Sequence, residues 1–150
     1  MKKFRFPLQP VGVLRSHQEL RAREVFAAAV HVYVQAEERL AALRQRVAEL
    51  AEVLFHGRTD RFLAADAAAL FRVYRGECNT VIEVEREVIE ARAAMQARRQ
   101  EYIEANRRLK TVQKLEEKAR ERHRLELLRA EQGELDELAG FRAFRSPVLS

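Results

Sequence analysis

His56-Gly57-Arg58-Thr59-Asp60 is the one clear break in a chain that carries no proline between Pro10 and Pro147. Proline in a helix interior costs about 3 kcal/mol, so its absence leaves helix permitted over nearly the whole span. On both sides of the break apolar residues recur at steps of three and four, the beat of an α-helix with one buried stripe. Before it the stripe passes through Ala22, Val25, Ala29, Val32, Ala36, Leu40, Leu43, Val47, Leu50 and Leu54. This is a heptad seam with one inserted four-residue step, which predicts a locally unwound supercoil near Ala36. After the break it passes through Leu63, Ala67, Leu70, Tyr74, Val81, Val84, Val88, Ala91, Met95, Tyr102, Ala105, Leu109 and Val112, with Glu77 and Arg98 as polar interruptions. Beyond Val112 it thins to Leu115, Ala119, Leu125, Leu128, Leu135 and Leu138.

These patterns predict an all-α fold, an antiparallel two-helix coiled-coil hairpin whose second helix is the longer. A single domain covers 1–150, with a lead-in at 1–12, helix 1 at 13–56, a bend at 57–62, helix 2 at 63–139 and a tail at 140–150. Pro7 and Pro10 disfavour helix at the residues before them and Gly12 delays nucleation. Ser16 is then a candidate N-cap, with Glu19 at the capping-box spacing, and Thr59, Asp60 and Asp66 are candidate caps for the second helix. A bend near 59–62 sets Leu43 against the region of Glu77 and Ser16 against that of Glu104. Residues from about Arg107 onward are then left without an intramolecular partner. A helix that keeps spaced leucines but has no partner in its own chain meets another chain or frays. A fainter row beside the second stripe, Phe71, Cys78, Ile82, Ile89 and Ile103 with Gln96 interrupting, either widens the hairpin contact or forms a partner-binding strip.

Composition agrees with long helices better than with a globule. Charged residues make up 34%, aromatics 7%, and there is no Trp, which leaves little to fill a globular core. Lys2, Lys3, Arg5, Arg15, Arg21 and Arg23 face Glu19 alone within the first 23 residues, so this arm carries the whole net charge of +5. A basic arm can meet nucleic acid, an anionic membrane or an acidic protein face. Past residue 23 acids and bases interleave, without the one-sided positive face of a nucleic-acid footprint. A lone Cys78 excludes an intramolecular disulfide. The first residues lack the apolar run of a signal peptide, and no span approaches the ~18–20 apolar residues of a membrane helix. A soluble cytoplasmic protein is expected.

Chemistry is sparse. The chain has no glycine-rich phosphate loop, no Cys-x-x-Cys, no His-Glu-x-x-His and no Gly-x-Ser-x-Gly. His17, His31, His56 and His123 never pair at the i, i+3 or i, i+4 spacing that would place two metal ligands on one helix face. The many glutamates lie among arginines and lysines at ion-pair spacing, a solvated face rather than a cleft that splits two carboxyl pKa values. Cys78 has no nearby base and reads as a small packing residue. No enzyme activity, metal or cofactor is expected.

The segment Phe4-Arg5-Phe6-Pro7-Leu8-Gln9-Pro10-Val11, the run Gln35-Ala36-Glu37-Glu38-Arg39-Leu40, and the closing stretch from Lys114-Leu115-Glu116-Glu117 through Glu131-Gln132-Gly133-Glu134-Leu135-Asp136-Glu137-Leu138-Ala139 to Arg142 and Arg145 resemble the FliJ family of flagellar export proteins. The resemblance spans nearly the whole chain. It implies a non-enzymatic coiled-coil component of the flagellar type III protein export apparatus, serving flagellum biogenesis and motility. As the resemblance has it, such a protein sits centrally in the ring of the export ATPase FliI, promotes its assembly and activity, and contacts the export-gate membrane protein FlhA and export chaperones. It would be cytoplasmic and peripheral at the inner membrane face of the basal body, with no nucleic-acid partner. Arg5, Arg15, Leu115, Leu125, Leu128 and Leu135 are the candidates for the ATPase contact. Aligned on Gln-Ala-Glu-Glu, the gate-binding band falls at Arg39, Leu43, Arg46 and Leu50, and near Tyr74 and Cys78. The rival reading is a generic structural coiled coil or a nucleic-acid-binding helical arm whose basic N-terminus meets phosphate and whose binding falls steeply with salt.

Overall fold

A computed structural model describes residues 3–59 and 64–145. They form two α-helices, α1 (Gln9–Thr59, 51 residues) and α2 (Ala64–Arg145, 82 residues), with no strand among the described residues. The helices pack antiparallel as a two-helix hairpin with α2 the longer. Residues 57–59 of the expected bend belong to α1. Positions 60–62, the candidate cap Asp60, the stripe residue Leu63 and tail residues 146–150 lie outside the described residues. Asp66 stands in the first turn of α2 and Arg142 and Arg145 in its last, each sign placed where the helix dipole favours it.

Both helices are longer than their sequence signals indicate. α1 starts at Gln9 rather than near residue 13, because Pro10 falls in the first turn, where a missing N–H goes unneeded and a fixed φ suits the helix. The Gln9 amide donates to the Phe6 carbonyl at 3.1 Å, and the Gly12 amide to the Leu8 carbonyl at 2.9 Å. Ser16 and Glu19 are therefore interior and form no capping box. At the other end Gly140 is not a stop: no described glycine takes a positive φ, and α2 runs through it to Arg145.

The chain divides into two compact units, one of Met1–Glu19 with Ala105–Ser150 and one of Leu20–Glu104. In the second, the inward residues of α1 are Ala22, Phe26, Ala29, Tyr33, Ala36, Leu40, Leu43, Val47, Leu50 and Leu54. The steps alternate three and four throughout, so the inserted step expected near Ala36 does not exist. Phe26 and Tyr33 hold the seam positions expected for Val25 and Val32, which are 38% and 56% exposed. Aromatic rings bury more area per residue than valine, and the helix turns by one position to take them. The α2 seam follows its expected course, from Ala67, Leu70 and Tyr74 through Val84 to Met95 and Tyr102. Leu40 and Val84 are its most buried residues.

Three ion pairs between the helices fix the register here: Arg39–Glu87 at 3.2 Å, Arg44–Glu85 at 3.0 Å and Arg46–Glu77 at 3.7 Å. They set Leu40 level with Val84, Leu43 with Val81 and Leu50 with Tyr74, one helical turn further along α2 than a bend at 59–62 predicts. Glu77 interrupts the stripe but is held by Arg46, while Arg98 turns outward to Glu101 at 3.0 Å. Phe26 stacks on Tyr102 with ring centroids 6.0 Å apart.

The first unit overturns the expectation that residues past Arg107 lack a partner. A Cβ on Gly12 would stand 3.4 Å from Val112, and Val112 is buried. The lead-in also docks: the Arg120 guanidinium lies 4.9 Å from the Phe4 ring centroid, and the His123 ring 5.5 Å away. Half-buried residues continue along α2 at Glu116, Ala119, His123 and Leu127, and every residue from Leu128 to Arg145 is exposed. Partnering thus extends about five turns beyond Arg107. Seam positions of α1 here hold Gly12, Arg15 and Glu19, the last 5% exposed. Glu19 is accommodated because no buried side-chain nitrogen or oxygen among the described residues lacks a hydrogen bond.

Candidate functional site

Two groups of side chains are candidates, one placed by the family resemblance and one by the leucines of the expected overhang, and the structure treats them differently. In the heptad frame defined by the seam (positions a and d), Arg39 and Arg46 are at g, Leu43 and Leu50 at d, Tyr74 at a and Cys78 at e. The g and e positions lie on opposite flanks of an antiparallel pair, as the g-to-g pair Arg39–Glu87 and the e-to-e pair Arg44–Glu85 show. The six residues therefore do not form one patch. Arg39 and Arg46 share a flank with Glu87 and Glu77, Leu43, Leu50 and Tyr74 are half-buried between the helices, and Cys78 belongs to the other flank. A hydrogen bond with the Cys78 side chain raises the Tyr74 hydroxyl above its ordinary pKa.

The second group is mostly accessible. Leu115, Leu125, Leu128 and Leu135 are exposed, as is Arg5. Arg15 is half-buried at a seam position, and its Nη1 donates to Gln18 Oε1 at 2.9 Å. Leu125, Leu128 and Leu135 follow one another at i, i+3 and i+10, close to one side of α2. Charged neighbours between them pair locally: Arg120–Glu116 at 2.8 Å, and Arg124 to both Glu121 oxygens at 2.7 and 3.0 Å, which holds the Glu121 carboxyl below its ordinary range. The leucines are left as the unengaged chemistry of this stretch.

Two apolar residues near the end of α2, Phe141 and Phe144, escaped the sequence reading, whose stripe ended at Leu138. Leu138 is exposed, Phe141 is 73% exposed and Phe144 96%, and an open depression is lined by Leu138, Phe141, Arg142 and Arg145. Gly140 concealed them, because a glycine after the last leucines reads as a helix stop. The signal that would have found them is the i, i+3 spacing of Leu138, Phe141 and Phe144 with Arg142 and Arg145 interleaved.

Among the described residues, no group of three or more His, Cys, Asp or Glu side chains is placed to hold a metal, and no helix is long and apolar enough to cross a membrane. The Tyr33 hydroxyl donates to Glu37 on the same helix, which raises its pKa. The arrangement offers surfaces for macromolecules.

A search of curated proteins finds no match, and a search of solved structures likewise finds none. A scan against protein families matches one, described as flagellar FliJ protein, over residues 4–147. That span takes in the docked lead-in, both helices and the exposed end of α2. The chain belongs to the FliJ family, and is a component of the flagellar export apparatus.

Proposed function

We propose that this protein works as a helical adaptor that binds the export ATPase FliI at the centre of its ring, promotes assembly and activity there, and links it to the export gate FlhA and to chaperones. Catalysis belongs to the ATPase. The adaptor is cytoplasmic and reaches the inner membrane face of the basal body only through these partners. The observation that carries the reading is the end of α2, where Leu128, Leu135, Leu138, Phe141 and Phe144 are all exposed on a helix with basic residues in its last turn. Apolar residues this numerous on one exposed helical segment mark a surface that another protein covers. Arg5 and the docked lead-in border the same unit and add positive charge for an acidic partner face.

The test is ATPase stimulation by the full chain carrying Leu128→Glu and Leu135→Glu. Both side chains are exposed, so helicity is retained. The apparent affinity for the ATPase falls at least tenfold, a change of about 1.4 kcal/mol. Undiminished stimulation would remove this assignment. The gate contact is assigned to the flank carrying Arg39 and Arg46. Reversing both charges lowers affinity for the gate; loss of the exposed Arg39–Glu87 pair costs the hairpin only about 0–1 kcal/mol, and half-buried Glu77 loses its partner at a larger cost. Unaltered gate binding would return both arginines to a purely structural role.

A further inference from the structure

Within the unit Leu20–Glu104, α1 carries a second seven-residue repeat outside its seam: Leu20, Ala27, Val34, Ala41, Ala48 and Phe55, all at heptad position b and all exposed. The corresponding row of α2 holds Ile82, Ile89 and half-buried Ile103, with Arg75 and Gln96 at its polar positions, Ile89 69% exposed, and Phe71 beside it at position e. Positions b and e adjoin, and the e-to-e pair Arg44–Glu85 places the e flanks of both helices on one side of the hairpin. Both rows therefore lie on a common face. A repeat of seven without drift is the mark of a helix built to follow another helix, since any other period would wind off the contact.

Charge identifies the occupant. Bordering each row at position f, α1 presents exposed Glu24, Glu38 and Glu52, and α2 presents exposed Arg72 and Arg86. In the observed register Glu38 is level with Arg86 and Glu52 with Arg72, but on the outer edges of the two helices, where they cannot reach each other within one chain. A second copy related by a two-fold axis running alongside the helices lays α1 of one chain on α2 of its mate. It brings Glu38 to Arg86 and Glu52 to Arg72, with Glu24 level with Gln100, and sets Val34 level with Ile89, Leu20 with Ile103 and Ala41 with Ile82. A two-fold axis across the helices would instead lay acidic row on acidic row. Between the rows, at position e, Arg44 and Glu85 are matched inside each chain at 3.0 Å and Glu37 accepts from Tyr33, and Arg23, Arg92 and Arg99 of the same strip enter the contact with them. From Leu20 to Phe55 the face runs roughly 53 Å at about 1.5 Å per residue, and two helices 8–10 Å apart make it about 18 Å wide. The projected area is on the order of 900 Å², against about 800 Å² per partner for a stable association.

We propose that this face pairs two copies of the chain as a four-helix, two-fold dimer with α1 of each against α2 of the other. The proposal goes beyond the export reading and is tested on the purified full-length chain alone. Sedimentation velocity over a hundredfold range of concentration is expected to show a reversible monomer–dimer equilibrium, and Ile89→Glu to weaken it at least tenfold with unchanged helicity. Glu38→Arg and Arg86→Glu each weaken it, and the double variant recovers it, because both interchain pairs re-form with reversed sign. In a Cys78→Ser background, chains carrying Val34→Cys mixed with chains carrying Ile89→Cys form the mixed cross-link. A chain that stays monomeric at every concentration, a double charge reversal that rescues nothing, or Val34→Cys chains that cross-link to each other instead would each overturn it.

Discussion

Val84→Ala and Val32→Ala are the same chemical change made at two sites that the structure sets apart. Val84 is 1% exposed in the seam, level with Leu40, whereas Val32 is 56% exposed on the g flank of α1. Removing two methyl-sized groups from Val84 forfeits about 0.8 kcal/mol each, plus a share for the cavity that two facing helices cannot fully close. Alanine returns about 0.5 kcal/mol through its higher helix propensity. The net is a destabilisation of about 1–2 kcal/mol. At Val32 less than half of the side chain is shielded, so the loss is about 0.7 kcal/mol and the propensity gain nearly cancels it. Urea unfolding followed by far-UV circular dichroism measures both, and for a chain of this size Val84→Ala should lower the melting temperature by roughly 2–8 °C. Equal effects at the two sites, or a larger one at Val32, would refute the assignment of the seam to Phe26 and Tyr33 and restore the interrupted stripe through the valines.

Further outcomes follow from single features. Gly76→Ala, where an added Cβ meets nothing within 4 Å, should raise stability by about 0.5–1 kcal/mol in the same denaturation assay. Phe4→Ala removes the ring under the Arg120 guanidinium and should speed tryptic cleavage after Lys3 and Arg5 severalfold, with cleavage elsewhere unaltered. Arg124→Gln releases the Glu121 carboxylate. Because the folded-state pKa of Glu121 is depressed, its contribution is present above the unfolded-state pKa and is lost as pH falls through the lowered value. In an NMR pH titration the Glu121 midpoint should therefore move up in the variant, and a midpoint that stays put would show that the pair does not persist in solution.

The hairpin was legible because its signals are local and repeated. The α2 stripe from Ala67 to Val112, with Glu77 and Arg98 as gaps, needs only helical periodicity to be read. The α1 stripe went astray at Val25 and Val32 because two adjacent positions both offered apolar side chains, and only the packing of Phe26 on Tyr102 decides between them. Glu19 was read as the capping-box partner of Ser16 because a buried carboxylate has no sequence signature apart from its partners. Helix ends were misjudged at Pro10 and Gly140 for a common reason: each residue type is tolerated where its backbone peculiarity is harmless, and its name alone does not say where that is. The candidate surfaces divided along the same line. Leu128 and Leu135 were readable as leucines beyond the hairpin's reach, whereas the separation of Arg39 and Arg46 from Cys78 depends on which flank faces which, a property of the pair.

The alternation of three and four, unbroken from Ala22 to Leu54 in α1 and from Ala67 to Val112 in α2, has a bearing on how such a molecule can change size. Excising residues 41–47 from α1 together with 77–83 from α2 would delete one complete repeat opposite another and leave each remaining layer with its original neighbour. Shortening one helix alone, or by any count other than seven, rotates or slides every layer beyond the cut. Length in this fold is therefore granular, gained or lost in matched sevens.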